Sequence, residues 1–499
     1  MAIDFGQHGH VYTRDLCNAI ESYTARAVRH NSNAYVYRGL HMRYAVERWL
    51  YIHCINSEDL FRHYSASLRS RSADVLPALD PVESDIAFFL FNHREHPDLP
   101  LRRLFRRLYA IARSVYRSLR SWRPRVAFPQ MCRHRPDILI HVRNFKFANY
   151  LAPVIRELHP NAYAFLVTND AALADWFDLR GSPVVGVLST NSLSLSHHLF
   201  CSYALLGFPQ LMHDADSTIT ALSRFQPKCT LVVEGNAPTD VITAEVCRTL
   251  GIPCYCVQHG WSPFVHSGFR NMCFTEMFVW GERFAELLLP YNPCQIFHVT
   301  GSHATQIVDD SAARSNIDTI SFFLQAPCAL LGVKAFDQFV ELIVDVAQSY
   351  SRLRVIVREH PGFPLSNELT QTLHSFPNVQ FSIPAFEPLA EVINASDLVV
   401  SVFSTVLLEA IALNVVPLIC SIGSMRHYEP SIAAMGAAVE VQTLADARSV
   451  IDELIADPAR LERIRRIMSE IRHGFFSDQC AAKVIATRLS NSCSEICAE

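Results

Sequence analysis

Four stretches of this sequence put reactive side chains where an apolar run stops. They are Val233-Glu234-Gly235-Asn236, Gln258-His259-Gly260, Arg358-Glu359-His360-Pro361 and Ser401-Val402-Phe403-Ser404-Thr405. A carboxylate at a strand end, such as Glu234, can serve as a general base, and Gly235 lets the chain turn behind it. A capping or turn role for Glu234 is the other reading. His259 can donate, accept or carry a proton near neutral pH, while Gly260 permits close backbone approach. The alternative is a histidine satisfied inside its loop.

Arg358 and His360 together suit a phosphate, one as a rigid fork of donors and the other as a single donor. Pro361 fixes its own φ and biases His360 away from helix, so the chain turns there. An exposed loop with Arg358 paired to Glu359 is the competing reading. Ser404 is placed to cap the helix "TVLLEAIAL", with Thr405 as a second hydroxyl. No Glu or Gln follows three residues after Ser404, so no capping box closes and the N–H donors stay available to an anion. Glu409, alone in an apolar helix, needs a partner; a ribose diol or a neighbouring arginine would serve.

The tetrapeptide Arg-Glu-His-Pro also occurs at 94–97, before "DLPLRR" and with no α/β unit around it. That copy reads as a surface turn. Context, not the tetrapeptide, distinguishes 358–361.

These strand ends need sheets to hold them. Residues 137–303 alternate short apolar runs ("DILIHV", "AYAFLVT", "PVVGVL", "CTLVVEG", "PCYCVQHG", "MFVWG", "FHVTG") with amphipathic stretches, and 319–440 do so again. Such alternation implies parallel sheets with helices on both faces. The expected class is therefore α/β: two doubly wound, Rossmann-like domains facing a cleft, with a helical N-terminal region. The divisions are 1–130 helical, 131–305 first α/β domain, 306–475 second α/β domain, and 476–499 helix or tail. Ligands in such sheets sit beyond the C-terminal strand ends.

With 499 residues, half of them apolar, the chain can build large cores. A net charge of −4 argues against a nucleic-acid binder held by a global positive field. Fifteen cysteines without C-x-x-C spacing read as reduced, mostly buried thiols of a cytoplasmic protein. The N-terminus lacks a secretory pattern, and the apolar stretch 398–422 reads as strand–helix–strand. Asp214-Ala215-Asp216 has D-x-D spacing, but its flanks read as helix, so no metal site is expected there. Residues 101–122 form a basic amphipathic pattern. It suits either peripheral contact with an anionic membrane or packing on the first α/β domain.

"REHPG" followed by "ASDLVVSVFSTVLLEAIALNVVPLI" resembles the nucleotide-binding half of GT-B-fold glycosyltransferases, and bacterial capsule and surface-polysaccharide enzymes in particular. "VQHGW", "FVWGERFAELL" and "HVTGSHA" are similar to the end of the first domain of capsule-synthesis proteins. The resemblance spans about 230–425 and extends to bacterial sialyltransferases, glycerophosphotransferases and non-hydrolysing sugar epimerases.

It implies Glu234-Gly235 as the base motif; His259, read from its own place at a strand end, is the substitute base. His360-Pro361 would support nucleotide phosphate, Ser404 and Thr405 would hold donor phosphate, and Glu409 would bind ribose. The chain departs from the pattern at "HVRNFKFAN", which lacks a glycine-rich loop. It departs again at Val233, where a second acid is usual, and at Asn414, where glycine often stands.

The resulting expectation is a metal-independent, inverting glycosyltransferase without cofactor. Its donor would be a CMP- or UDP-linked sugar and its acceptor a surface glycan or lipid-linked glycan. A UDP-sugar 2-epimerase or a CDP-glycerol-type polyol-phosphate transferase on the same fold is the alternative.

Overall fold

The computed structural model describes residues 9–57, 60, 135–168, 173, 184–188, 208–305, 307–308, 316–328, 330–384, 386–422 and 428–495. The Arg-Glu-His-Pro copy at 94–97 and the basic stretch 101–122 lie outside these residues.

The chain opens with helix α1 (Gly9–His30), the short hairpin β1 (Val36–Tyr37) and β2 (Leu40–His41), and α2 (Arg43–Ile55). The first lobe then runs β3 (Ile138–Val142), α3 (Phe145–Glu157), β4 (Tyr163–Thr168), β5 (Val184–Leu188) and α4 (Pro209–Phe225). It continues through β6 (Cys229–Val233), α5 (Pro238–Leu250), β7 (Cys254–Val257), β8 (Glu276–Val279), α6 (Glu282–Leu288) and β9 (Phe297–Val299).

The second lobe comprises β10 (Thr319–Phe323), α7 (Val333–Ser349), β11 (Arg354–Arg358), α8 (Asn367–His374), β12 (Val379–Ser382) and α9 (Leu389–Asn394). After these come β13 (Leu398–Ser401), α10 (Val406–Ala412), β14 (Val416–Cys420), β15 (Val439–Val441) and α11 (Leu444–Ala456). Helices α12 (Pro458–Phe475) and α13 (Ala481–Glu495) close the chain.

Both sheets are parallel throughout. The first has seven strands in the order β5-β4-β3-β6-β7-β8-β9, and the second has six in the order β12-β11-β10-β13-β14-β15. Central strands such as β3, β6 and β10 are buried along their whole length, as sheets covered on both faces require.

The side chains of β3 divide between two cores. Ile138, Ile140 and Val142 pack with Phe147 and Leu151 of α3 and with Ile485 and Leu489 of α13. Leu139 belongs to the main core, with Val241 and Val246 of α5 and Leu50 of α2. Helix α13 thus returns from the second lobe to cover one face of the first sheet.

The strand order reverses between β3 and β6 in one sheet and between β10 and β13 in the other. Those two switch points are where such sheets leave a crevice. The strand ends there carry Arg143 and Glu234 on one side, with Lys146 in the first turn of α3, and Phe403–Thr405 on the other, where Phe403 N–H donates to Gln325 Oε1 (2.8 Å).

Asn414 ends α10 with φ +57°, the left-handed conformation that glycine usually supplies. Asparagine tolerates it, so the departure at this position costs the turn little. Among the described residues no helix is long and apolar enough to cross a membrane. Most of the described cysteines are buried.

Candidate functional site

The site begins with how β6 ends. Glu234 holds φ +73° and Gly235 φ +71°, two left-handed residues in succession. For glutamate this conformation is strained by about 1–3 kcal/mol, and such strain concentrates at functional sites. Glu234 N–H donates to Val257 O (2.8 Å), which fixes the reversal against β7. Gly235 has no room for a side chain: a Cβ there would lie 2.8 Å from Cys256 Sγ and 2.8 Å from the Phe274 ring. Gly235→Ala is therefore expected to cost about 2–4 kcal/mol, from overpacking plus left-handed strain. A fall in urea midpoint, with the slope of the transition unchanged, checks this.

The Glu234 carboxyl is partly exposed and lies 3.7 Å from Arg143 Nη2, which also approaches Asp240 Oδ2 at 3.2 Å. Neither approach is an aligned hydrogen bond, so Arg143 Nη2 is ion-paired but makes no hydrogen bond. Asp240 is 2 % exposed and accepts the Ala237 N–H at 3.2 Å, holding the start of α5. Burial raises the Glu234 pKa; Arg143, Lys146 and a hydrogen bond from Asn236 oppose the rise, and Asp240 adds to it.

Lys146 occupies the first turn of α3, directly behind the cap made when Asn144 Oδ1 accepts the Phe147 N–H (2.9 Å). It is exposed and makes no ion pair among the described residues. Its charge bears on Glu234 and His259 of the first lobe and on His360 and Glu409 of the second. That influence reaches candidate residues of both lobes.

His259 packs edge-on against Phe147 and Tyr150, at centroid distances of 5.0 and 4.6 Å. Its Nδ1 is buried without a partner. Burial, then Lys146, His303 and Arg143, bring its pKa to about 3. The ring is neutral and a weak base. Beyond Tyr150 lies His303, with centroids 4.0 Å apart and Nε2 2.5 Å from Tyr150 O. Its Nδ1 is also an orphan, and burial lowers its pKa to about 4.

His360, just past β11, is exposed, and its Nδ1 accepts the Gly362 N–H (3.1 Å) in the turn that Pro361 begins. With Nδ1 accepting, the neutral ring carries its proton on Nε2, a donor free for an anion. Burial and Lys146 both lower its pKa, which keeps it neutral. Glu409 accepts from Thr305 Oγ1 (3.2 Å), and burial raises its pKa to about 7. Its partner is therefore a hydroxyl of the segment between the lobes, not an arginine.

The hydroxyls behave differently from expectation. Helix α10 starts at Val406, and its cap residue is Thr405 in helical geometry, with no side-chain cap. Ser404 Oγ accepts the Val406 N–H (3.3 Å). Thr405 is drawn to the other lobe instead: Oγ1 accepts the Trp261 N–H (3.0 Å) and donates to Trp261 O (3.2 Å). Gly260 lies against the same hydroxyl, where a Cβ would be 3.4 Å from Oγ1. Trp261 Nε1–H also donates to Glu429 O (2.5 Å), so the lobes are tied at two places. Trp261, Phe403, Tyr428 and Pro430 line a narrow slot beside this junction.

Arg358 does not join the set around Lys146. It is buried at the end of β11 and donates to Ser382 Oγ (2.7 Å). Nor does it pair with Glu359, whose Oε1 accepts the Leu365 N–H (2.9 Å). A strand-terminal side chain here faces the neighbouring strand β12, and sequence spacing could not show that. The D-x-D residues lie on α4: Asp214 is bound by Gln210 Nε2 (2.8 Å), and Asp216 receives Tyr37 Oη (2.9 Å) and Arg38 (3.0 Å).

No protein-family model matches the chain, and the comparison with curated proteins found no match. Among solved structures, a putative UDP-N-acetylglucosamine 2-epimerase from Listeria monocytogenes aligns with TM-score 0.50 and 13% identity, over 72% of this chain and 97% of that one. The fold is GT-B-like.

A UDP-GlcNAc 2-epimerase from Neisseria meningitidis aligns with TM-score 0.49 and 18% identity, over 71% of this chain and 100% of that one. MurG of Acinetobacter baumannii aligns with TM-score 0.48 and 12% identity, over 71% and 100%.

In this GT-B-like fold, the residues that sequence reasoning missed are Arg143, Lys146, Tyr150, Asp240 and His303. The stretch "HVRNFKFAN" draws attention for its missing glycines, yet its two cations, Arg143 and Lys146, lie at the switch point. A basic residue in the first turn of the helix after the first lobe's central strand β3 was the available signal.

Proposed function

We propose that the protein is a glycosyltransferase that moves a sugar from a CMP- or UDP-linked donor to a surface or capsular glycan acceptor at the cytoplasmic face of the membrane. The observation that supports this reading is the junction of the two switch points: Glu234 beside Arg143 lies at one, and Thr405 at the other is tied to the first lobe through Trp261. Fold likeness at this level of identity carries no substrate with it.

The reaction would be a direct displacement. The acceptor oxygen forms a bond to the anomeric carbon as the bond from that carbon to the phosphate oxygen breaks. Glu234 takes the acceptor proton. The pair of electrons leaves on the nucleotide phosphate, whose charge Lys146 and the His360 Nε2–H stabilise. His259, neutral and weakly basic, serves as a polar wall and not as the base. Glu409, whose pKa burial raises to about 7, would meet the donor ribose.

One observation favours a second reading, a sugar-nucleotide epimerase: Asp240 gives Glu234 an acidic neighbour across Arg143. Asp240 is buried and engaged at the start of α5, which leaves it poorly placed to reach a sugar. Incubation with a panel of nucleotide sugars, with and without glycan acceptors, separates the two. Release of nucleotide that depends on acceptor supports the transferase. Appearance of a new sugar nucleotide without acceptor supports the epimerase, and neither event with any donor rejects both.

A further inference from the structure

We propose that Cys229 and Cys493 are a disulfide-forming modification site that fastens the C-terminal helix to the first lobe when the chain meets a peroxide. Cys229 opens β6 in the middle of the first sheet, and Cys493 lies in α13, 264 positions away, yet their Sγ atoms are 3.8 Å apart. A disulfide needs about 2.05 Å between sulfurs, a closure that side-chain rotation and a small helix shift supply. The contact is between two thiols that have no stronger partner: Cys229 otherwise approaches Leu489 O at 3.9 Å, and Cys493 approaches Asp137 O at 3.8 Å.

The two thiols are unequal. Cys229 is fully buried and Cys493 is 7 % exposed, so a reagent reaches Cys493 first. A hydrogen bond from the Cys229 thiol and the nearby Lys228 ammonium lower the Cys493 pKa, against burial and Asp137. Its thiolate is the nucleophile. It attacks one peroxide oxygen, the O–O bond breaks, and water leaves after one proton is taken up. Cys493 is then a sulfenic acid. The Cys229 sulfur attacks that sulfur, the S–O bond breaks, and the thiol proton leaves with hydroxide as a second water. Two thiols and one hydrogen peroxide give one disulfide and two waters.

The bond would close a covalent ring around the whole second lobe. After β6 the chain completes the first sheet with β7, β8 and β9, builds the second lobe, and returns through α12 to α13, which packs on α3. Helix α3 carries Lys146 and Tyr150. Locking α13 in place therefore restrains the lobe junction without touching the cleft.

The test uses the full chain, reduced and then treated with hydrogen peroxide, followed by alkylation, non-reducing digestion and mass spectrometry. The expected result is a linked peptide joining Cys229 and Cys493. It should come with a thermal midpoint several degrees higher, reversed by dithiothreitol and absent in Cys493→Ser. Cys229→Ala is the second variant and should leave Cys493 oxidised beyond the sulfenic acid. Detection of Cys493 as sulfinic acid in the wild type, with Cys229 alkylated after unfolding, overturns the proposal. So does a link that forms only in the denatured chain. Neither readout involves turnover, so the outcome is independent of the proposed transferase activity.

Discussion

Lys146→Met should lower kcat/KM for the donor by about 10²–10³-fold while leaving the fold intact, since losing one preorganised charge partner of a developing anion typically costs this much. Lys146 is exposed at the start of α3, so the substitution removes charge without opening a core. Its charge bears on Glu234 and His259 of the first lobe and on His360 and Glu409 of the second. Lys146→Arg should recover part of the rate, because charge is retained while the geometry of the head group changes. Steady-state kinetics on the three proteins, with circular dichroism as the control, measures this. An unchanged kcat/KM in Lys146→Met would remove the residue from the mechanism.

Glu234→Gln should reduce kcat by about 10²–10⁴-fold, the range for loss of a general base. The pH dependence gives a sharper readout. A base works when deprotonated, so the rate falls as pH drops through its pKa. Burial holds the Glu234 pKa above the ordinary glutamate value, and the acid limb of kcat/KM should sit correspondingly high. Arg143 opposes that rise, so Arg143→Gln should move the limb to higher pH. Asp240 adds to the rise, so Asp240→Asn should move it to lower pH. A role for Glu234 limited to shaping the turn would leave the limb where it is in both variants.

The two parallel sheets were legible because buried central strands are continuous apolar runs. "ILIHV" and "TISFF" are buried along their whole length, and the first is followed by the polar pair Arg143-Asn144. The strand ends were legible for the same reason: Glu234, His259 and His360 follow directly on β6, β7 and β11. Side-chain direction was not legible. Arg358 faces Ser382 because the last residue of β11 lies beside β12, and a tetrapeptide carries no record of its neighbouring strand. Thr405 sits where a helix-start hydroxyl was expected, but the opposite lobe claims it through Trp261. Such a contact, 144 residues apart in sequence, arises only from tertiary closure. Lys146 escaped notice because a lone lysine on an amphipathic helix is ordinarily a solvated charge; only the strand order, which puts α3 at the switch point, gives it meaning.

The central claim is that one phosphate group is held from both lobes at once. A crystal structure of the chain with CMP or UDP tests it most directly. The account predicts a phosphate oxygen within hydrogen-bond reach of both Lys146 Nζ and His360 Nε2, with Glu234 facing the open side of the phosphate. A nucleotide bound to one lobe alone, or lying away from both of these side chains, would contradict it.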